Sequence, residues 1–390
     1  MLDVAIIGGG PGGLVAAARL AARGRQVTVF EEHDAIGTPV HCTGVLAHDA
    51  IGDLALPKAA VLNALSTVRF VGPSGGDFSY TTPSTEAVVI DRSAFDRALS
   101  DEARRAGATV RSGRRVTAVD LGGSRARVAL DDGEQVDAAA VILACGANYG
   151  LQRRLGLGMP STFLQSAQLE LPAARLGDVE VHFGSEIAPK GFAWAVPVAR
   201  ESGPHVRIGV MAEHDAGEFF RRMLARVRDE WGVDAPADGE PRRRMLPLST
   251  IRRSYAERLL VVGDAAGLVK PTTGGGIYYS VVSGQMAADV LHDALLAGDL
   301  SAAALREFER RWRGQFQREF TAQLALRFIA QRLRDDDIDR LFELARTDGI
   351  MPIVRKTARF NRHRDFILAL LRHPPARRVL LGQLAGLVHQ

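Results

Sequence analysis

Hydrophobic and polar positions alternate with different periods along the chain, and the changes of period mark its elements. Residues 2–7 (LDVAII) form an apolar run of strand length, which predicts a buried strand. Residues 11–24 carry small and apolar residues at helical spacing, and 26–31 (QVTVFE) read as a second strand. Strand, helix and strand in this order predict a βαβ start with a parallel sheet. Short alternating runs with Gly/Pro turns over 66–90 predict a meander ending in VVID. A helix over 91–106 follows, capped by Asp91. Three strand-like runs (108–112, 115–120, 125–131) precede a core strand at 139–144.

From 163 to 211 the period settles near two. LQSAQLEL, DVEVHF, FAWAVPV and HVRIGVM are four strand-like runs split by turns, which predicts an antiparallel sheet. Residues 215–231 have the spacing of an amphipathic helix, and apolar 259–262 (LLVV) returns the chain to the first sheet. The expected fold is therefore α/β with an α+β insert. A discontinuous Rossmann-type domain takes 1–160 and 245–300, an inserted antiparallel-sheet substrate domain 161–244, and a helical region 301–390.

Composition narrows the setting. The chain has 390 residues, 46% of them hydrophobic, enough for one large core or two modest ones. No apolar run approaches the ~20 residues of a membrane span, and the start lacks the features of a signal peptide. Two cysteines, Cys42 and Cys145, are too few for a disulfide framework, so a reducing, cytoplasmic setting is expected. The net charge of +4 is spread along the chain and argues against nucleic-acid binding. An anionic ligand or membrane surface suits it equally well. The tail 364–389 pairs leucines with arginines, the pattern of a helix packed on the protein body or docked peripherally on a membrane.

Two glycine motifs carry the chemistry. Gly8-x-Gly10-x-x-Gly13 sits between strand and helix: Gly8 permits the tight turn, Gly10 lets backbone approach a pyrophosphate, and Gly13 lets helix and strand pack closely. Glu31, ending the second strand, suits a ribose hydroxyl. The second motif is LLVVGDAAGLVKPTTGGGIYYSVVSGQMAA over 259–288. Gly263-Asp264 at a strand end brings a carboxylate to a sugar-like hydroxyl. After Pro271, Gly274, Gly275 and Gly276 bare backbone N–H groups at a helix start. Together the motifs reach both ends of an extended cofactor and point to FAD. Arg92, at a helix start, is expected near the FAD pyrophosphate or ribityl chain. Cys42 lies in the small-residue loop Ile36–Gly44, expected along the cofactor. Its neighbour His41 points away on an extended chain. Phe192, Trp194 and Val196 alternate, so they share one strand face and form an aromatic wall or an ordinary sheet core.

These segments together resemble the geranylgeranyl reductase family, within the flavoprotein group that includes p-hydroxybenzoate hydroxylase. The likeness spans roughly residues 1–300: GGGPGG at 8–13, the IGTPVHCTG loop, DRSAFD, the strand around Trp194, and GDAAGLVKPTTGGGI. It implies reduction of isolated C=C bonds of polyprenyl chains by reduced FAD, with NAD(P)H or reduced ferredoxin as electron donor. By position it implies FAD contacts from Gly12, Glu31, Cys42, Thr43, Arg92, Asp264, Gly276 and Ile277, and from Val116 near the adenine. Phe192 and Trp194 would line a prenyl tunnel, with Cys42 near the reacting bond. Three departures stand out: Phe192 replaces the usual tyrosine, Val196 replaces a phenylalanine, and Cys145-Gly146 stands where hydroxylases carry Asp-Gly. The alternatives are an FAD monooxygenase of an aromatic or polyketide, a flavin halogenase, and a non-catalytic prenyl-binding carrier.

Overall fold

The computed structural model of the chain describes residues 1–233, 239–347 and 349–385. Its first sheet grows around the apolar strand Leu2–Ile7, whose last four residues are buried. Val27–Phe30 pairs with that strand in parallel on one side and Gln135–Leu143 on the other. Thr109–Arg111 and Leu259–Val261 extend the parallel sheet outward at either side. Strands Val116–Asp120 and Ala126–Leu130 add an antiparallel hairpin to the first half of Gln135–Leu143. The expected cap of the helix Arg92–Arg105 is present, Asp91 Oδ1 accepting from the Ala94 N–H at 2.9 Å.

The helix Pro11–Ala21 packs against Ile277–Ala297. The approach is close: a Cβ on Gly284 would lie 2.3 Å from the Gly12 carbonyl oxygen. Both helices begin at a glycine motif, so this contact draws together segments more than 260 residues apart in sequence.

A second sheet has seven strands, in the order Arg242–Pro247, Phe163–Pro172, Gly203–Ala212, Phe192–Arg200, Val179–His182, Thr67–Val71 and Asp77–Thr81. The four runs expected between 163 and 211 all belong to it. One of its pairings is parallel, between Val179–His182 and Thr67–Val71. The helix Ala216–Trp231 covers this sheet with Phe219, Phe220, Met223, Val227 and Trp231, an apolar stripe at helical spacing.

The stretch 66–90 departs from the expected meander. Its first two strands join the seven-stranded sheet, whereas Ala87–Ile90 pairs with Val45–Ala47 and Val61–Leu65 in a separate three-stranded sheet. Burial separates them: Ala87–Ile90 is buried at every position, while Asp77–Thr81 alternates exposed and half-buried residues as an edge strand does.

The C-terminal part is helical, as expected. Ala302–Ala330 buries Phe308, Trp312, Phe316 and Phe320 at four-residue intervals in the first core. Shorter helices follow at Asp335–Arg346, Met351–Thr357, Arg364–Arg372 and Pro374–Ala385. Ile367, Leu370, Ala376 and Leu380 are buried, so the described part of the 364–389 tail packs its apolar face on the protein. Residues 386–389 of that tail lie outside the described residues. No described helix is long and apolar enough to cross a membrane.

Candidate active site

A cavity of about 1960 Å³ runs between the two sheets and reaches the C-terminal helices. At one end lies the first glycine motif, whose glycines divide by task. Gly8 has φ +108°, and a Cβ there would meet the Ala144 carbonyl oxygen at 2.3 Å. A Cβ on Gly13 would lie 2.3 Å from the Gly8 carbonyl oxygen. Gly10 is different: it faces the cavity, and a Cβ there meets nothing within 4 Å. Glu31 closes this end. One of its carboxylate oxygens accepts from the Gly9 N–H at 2.7 Å and the other from the His33 N–H at 3.0 Å.

The second motif lies further along the same cavity. Asp264 sits in the tight turn Gly263–Ala266, open to the cavity but remote from bulk solvent. Its backbone oxygen accepts from the Tyr149 hydroxyl at 2.7 Å. Removal from water pushes its carboxyl group upward, against the pull of Arg92 and Arg244. A Cβ on Gly276 would lie 2.5 Å from Asp264 Oδ1, so glycine is what admits the carboxylate to the helix start.

Arg92 and Cys42 meet on the wall between these ends. Arg92 Nη2 binds both oxygens of Asp96, at 2.8 and 3.1 Å, while its Nε is buried without a partner. Burial opposes the guanidinium charge, but Asp96 and then Cys42 outweigh it, so Arg92 stays charged. Cys42 Sγ accepts from the Gly44 N–H at 3.3 Å. Thr43 donates to Gln168 Oε1 at 2.9 Å, and Arg207 holds the loop through the carbonyls of Thr43 and Ile90. His41 also faces the cavity; burial, then Arg244 and Arg242, push its imidazole down to about 4, so it is neutral.

The strand Phe192–Arg200 turns Phe192, Trp194 and Val196 to the cavity. The rings of Phe192 and Trp194 lie 5.8 Å apart, and Phe183 extends the wall at 6.1 Å from Phe192. Trp194 lies opposite Gly209 on the next strand, where a Cβ would meet the indole at 2.3 Å. The glycine makes room for the ring. Val179 and Val181 prolong the apolar surface, and Phe342, Leu370 and Leu380 close it from the helical region.

Of the residues singled out from sequence, Gly8, Gly10, Glu31, Cys42, Thr43, Gly44, Arg92, Val116, Phe192, Trp194, Asp264, Gly274, Gly275, Gly276 and Ile277 line this one cavity. Gly12, Gly13, Gly263 and Pro271 are not in its lining. Gly12 and Gly263 pack against Ser280, Gly13 against Gly8, and Pro271 is buried with its carbonyl facing Arg327. Two cations were not anticipated. Arg244 reaches the cavity from the edge strand Arg242–Pro247, within the influence of Asp264, Glu32 and Glu31. Lys270 lies buried beside the glycine triplet. A lysine between Val269 and Pro271 was a visible signal in a chain with four lysines; Arg244 sat in an undistinguished basic run.

Comparison with known proteins agrees with this geometry. The FAD binding domain family matches residues 1–311. A digeranylgeranylglycerophospholipid reductase of Methanocaldococcus jannaschii is 30% identical over 357 residues, covering 87% of this chain and 90% of its own. The protein of that name from Methanothrix thermoacetophila is 30% identical over 368 residues, covering 89% and 92%. Among solved structures, a geranylgeranyl bacteriochlorophyll reductase-like protein from Thermoplasma acidophilum superposes with TM-score 0.82 at 24% identity, over 98% of this chain and 99% of its own. The myxobacterial chondrochloren halogenase shares the fold with TM-score 0.66 at 21% identity, over 98% and 97%. The two glycine motifs, joined through one cavity, are thus those of a chain that belongs to the FAD binding domain family and, within it, to the digeranylgeranylglycerophospholipid reductases.

Proposed function

We propose that this chain is an FAD-dependent oxidoreductase that reduces isolated C=C bonds of a polyprenyl chain carried on a lipid. The observation that carries the reading is the continuity of the cavity from the open Gly10 to the Phe192–Trp194 wall and on to the helical region. Ligand cavities commonly measure about 300–1,000 Å³. At about 1960 Å³ this one suits an extended cofactor and a long apolar substrate together.

The residues fit FAD on several counts. Gly10 leaves a space at the helix Pro11–Ala21 that any side chain would fill, where backbone N–H groups favour a pyrophosphate. Glu31 and Asp264 offer carboxylates at the two ends, for the adenosine ribose and the ribityl chain. Arg92 Nε is a buried donor still without an acceptor. Gly274, Gly275 and Gly276 bare the start of the helix Ile277–Ala297. Cys42, Thr43, Gly44, Val116, Arg244 and Ile277 complete the lining we assign to the cofactor.

When bound, FAD supplies the hydride. The chain's own part is to hold the alkene and to keep water out. Phe192, Trp194, Val196 and Phe183 give an apolar surface that positions a prenyl segment without anchoring it by hydrogen bonds. Phe192 has no hydroxyl, so the proton for the second carbon comes from elsewhere on the wall. We assign that role to the Cys42 thiol, or to a water that it orders.

The electron donor is NAD(P)H or reduced ferredoxin. Anaerobic reduction of the purified yellow protein with each, beside dithionite, distinguishes them. Mass spectrometry of geranylgeranyl lipids should then show gains of two hydrogens per bond. No mass gain, combined with substrate-dependent NADPH oxidation that requires O2, would replace this reading with a monooxygenase.

A further inference from the structure

Lys270 has a surrounding that the site described so far does not explain. It is 4% exposed. Its Nζ donates to the Phe360 carbonyl at 2.6 Å and stands 4.0 Å from the centre of the Phe360 ring. Among the described residues it forms no ion pair with a carboxylate. An ammonium group withdrawn from water without an anion is unfavourable, and proteins retain one where an anion arrives or where its proton is used.

Its position says which anion. The Lys270 N–H donates to the Gly275 carbonyl at 3.1 Å, and the Lys270 carbonyl accepts from the Gly274 N–H at 2.8 Å. The side chain then runs beside the triplet, Cδ and Cε lying 3.7 and 3.8 Å from the Cβ position of Gly275. The helix that starts at Ile277 has 21 residues, no side-chain cap and no acidic residue in its first turn. Its dipole and free N–H groups therefore favour negative charge at the same place. Two independent features, a buried ammonium and an uncapped helix start, place positive charge on one region of the cavity wall; the Asp264 carboxyl group stands at the same helix start, where removal from water disfavours its charged form.

We propose that Lys270 is the counter-charge for the negative charge that reduction places on the flavin held beside Gly274, Gly275 and Gly276. The inference rests on the FAD reading of the site. Two electrons and one proton added to an isoalloxazine form the N5–H bond and leave one negative charge over N1 and the C2 carbonyl. The ammonium group neutralises that charge without transferring a proton to it. Lys270 thereby favours the reduced cofactor and acts on the alkene only through it.

The ionisable groups around Lys270 agree. Burial pushes its ammonium down to about 7, opposed by Glu319 and Asp49. The facing His363 is itself held near 4, by burial first and then by Lys270, so it adds no second positive charge at neutral pH. An anion at the triplet raises the Lys270 value again, coupling reduction of the flavin to retention of this proton.

The test uses the FAD-loaded protein and the variants K270M, K270Q and K270R. Sulfite adds to flavin N5 and leaves the same negative charge, so its affinity reads the counter-charge without any turnover. K270M and K270Q should keep FAD, bind sulfite about tenfold or more weakly, and show a more negative midpoint in dithionite titrations. K270R should restore both. The reduced flavin of K270M should also take up its N1 proton at a higher pH, visible in its absorbance. Unchanged sulfite affinity and midpoint in a neutral variant that holds FAD would overturn the proposal. Parent protein purified without FAD, and unable to take it up, would instead sink the cofactor reading. The glutamine variant still carries an uncharged N–H donor on the side of the Phe360 carbonyl, so the measurement does not depend on methionine being accommodated.

Discussion

Glycines of the first motif look alike in sequence and behave differently in space. Gly8 holds a positive φ with no room for a side chain, so Gly8→Ala should destabilise the fold by about 1–3 kcal/mol from backbone strain alone, read by denaturant unfolding. Gly10 is extended, with φ −83° and ψ 177°, and has open space before it. Gly10→Val should therefore leave the melting temperature of the apoprotein nearly unchanged and remove FAD. A valine variant that purified with full flavin would contradict the assignment of Gly10. Cys42 makes a separate case at this scale. Cys42→Ala should lower kcat about 100-fold, in the range of a lost general acid, with FAD still bound. Turnover equal to the parent's would end its role as donor. The same scale shows where residue type alone misleads: Gly12 belongs to the fingerprint but packs against Ser280, whereas Gly10 faces the cavity.

Among elements, the turn between the helices Met351–Thr357 and Arg364–Arg372 is pinned by His363. Its ring meets the Thr272 hydroxyl at 2.9 Å and the Phe360 carbonyl at 3.0 Å, and its backbone N–H donates to Glu319 at 2.5 Å. Burial, then Lys270, hold the imidazole near 4, well below its ordinary value of 6.5. The unfolded chain therefore binds a proton more readily than the folded one between these values. The part of the stability that depends on neutral His363 is full above about pH 6.5 and is lost as pH falls toward 4, with His41 titrating over the same interval. His363→Gln should make the fall in melting temperature across that interval shallower, and a slope identical to the parent's would remove His363 from the account. The strand pair Phe192–Arg200 and Gly203–Ala212 offers a second test. Gly209→Val must displace the Trp194 indole toward the cavity, so lipid turnover should fall while flavin absorbance is retained.

The cavity is a property of the whole molecule, because the parallel sheet, the seven-stranded sheet and the C-terminal helices each contribute wall. Its far end, by Phe342, Leu370 and Leu380, belongs to segments distant in sequence from either glycine motif. Length selection should therefore be adjustable there without touching the cofactor end. Leu370→Trp should favour lipids with shorter prenyl chains over geranylgeranyl ones, with flavin content unchanged, at a stability cost of about 1–3 kcal/mol for overpacking. Product masses from a mixture of chain lengths read the preference directly.

Sequence alone determined the features that depend on local backbone geometry and period. The βαβ start, both glycine motifs, the Asp91 cap and the one-sided Phe192–Trp194–Val196 strand were legible because each follows from a few neighbouring residues. Tertiary structure decided the rest. The 66–90 stretch divided between two sheets because burial across the molecule, and not local alternation, selects a strand's partner. Gly284 met Gly12, and Trp194 met Gly209, through contacts between distant or adjacent elements that no local pattern encodes. Lys270 and Arg244 gained their meaning in the same way. A lysine or arginine in sequence is a solvated charge by default, and only the packing around it shows whether bulk water or the wall of a cavity surrounds it.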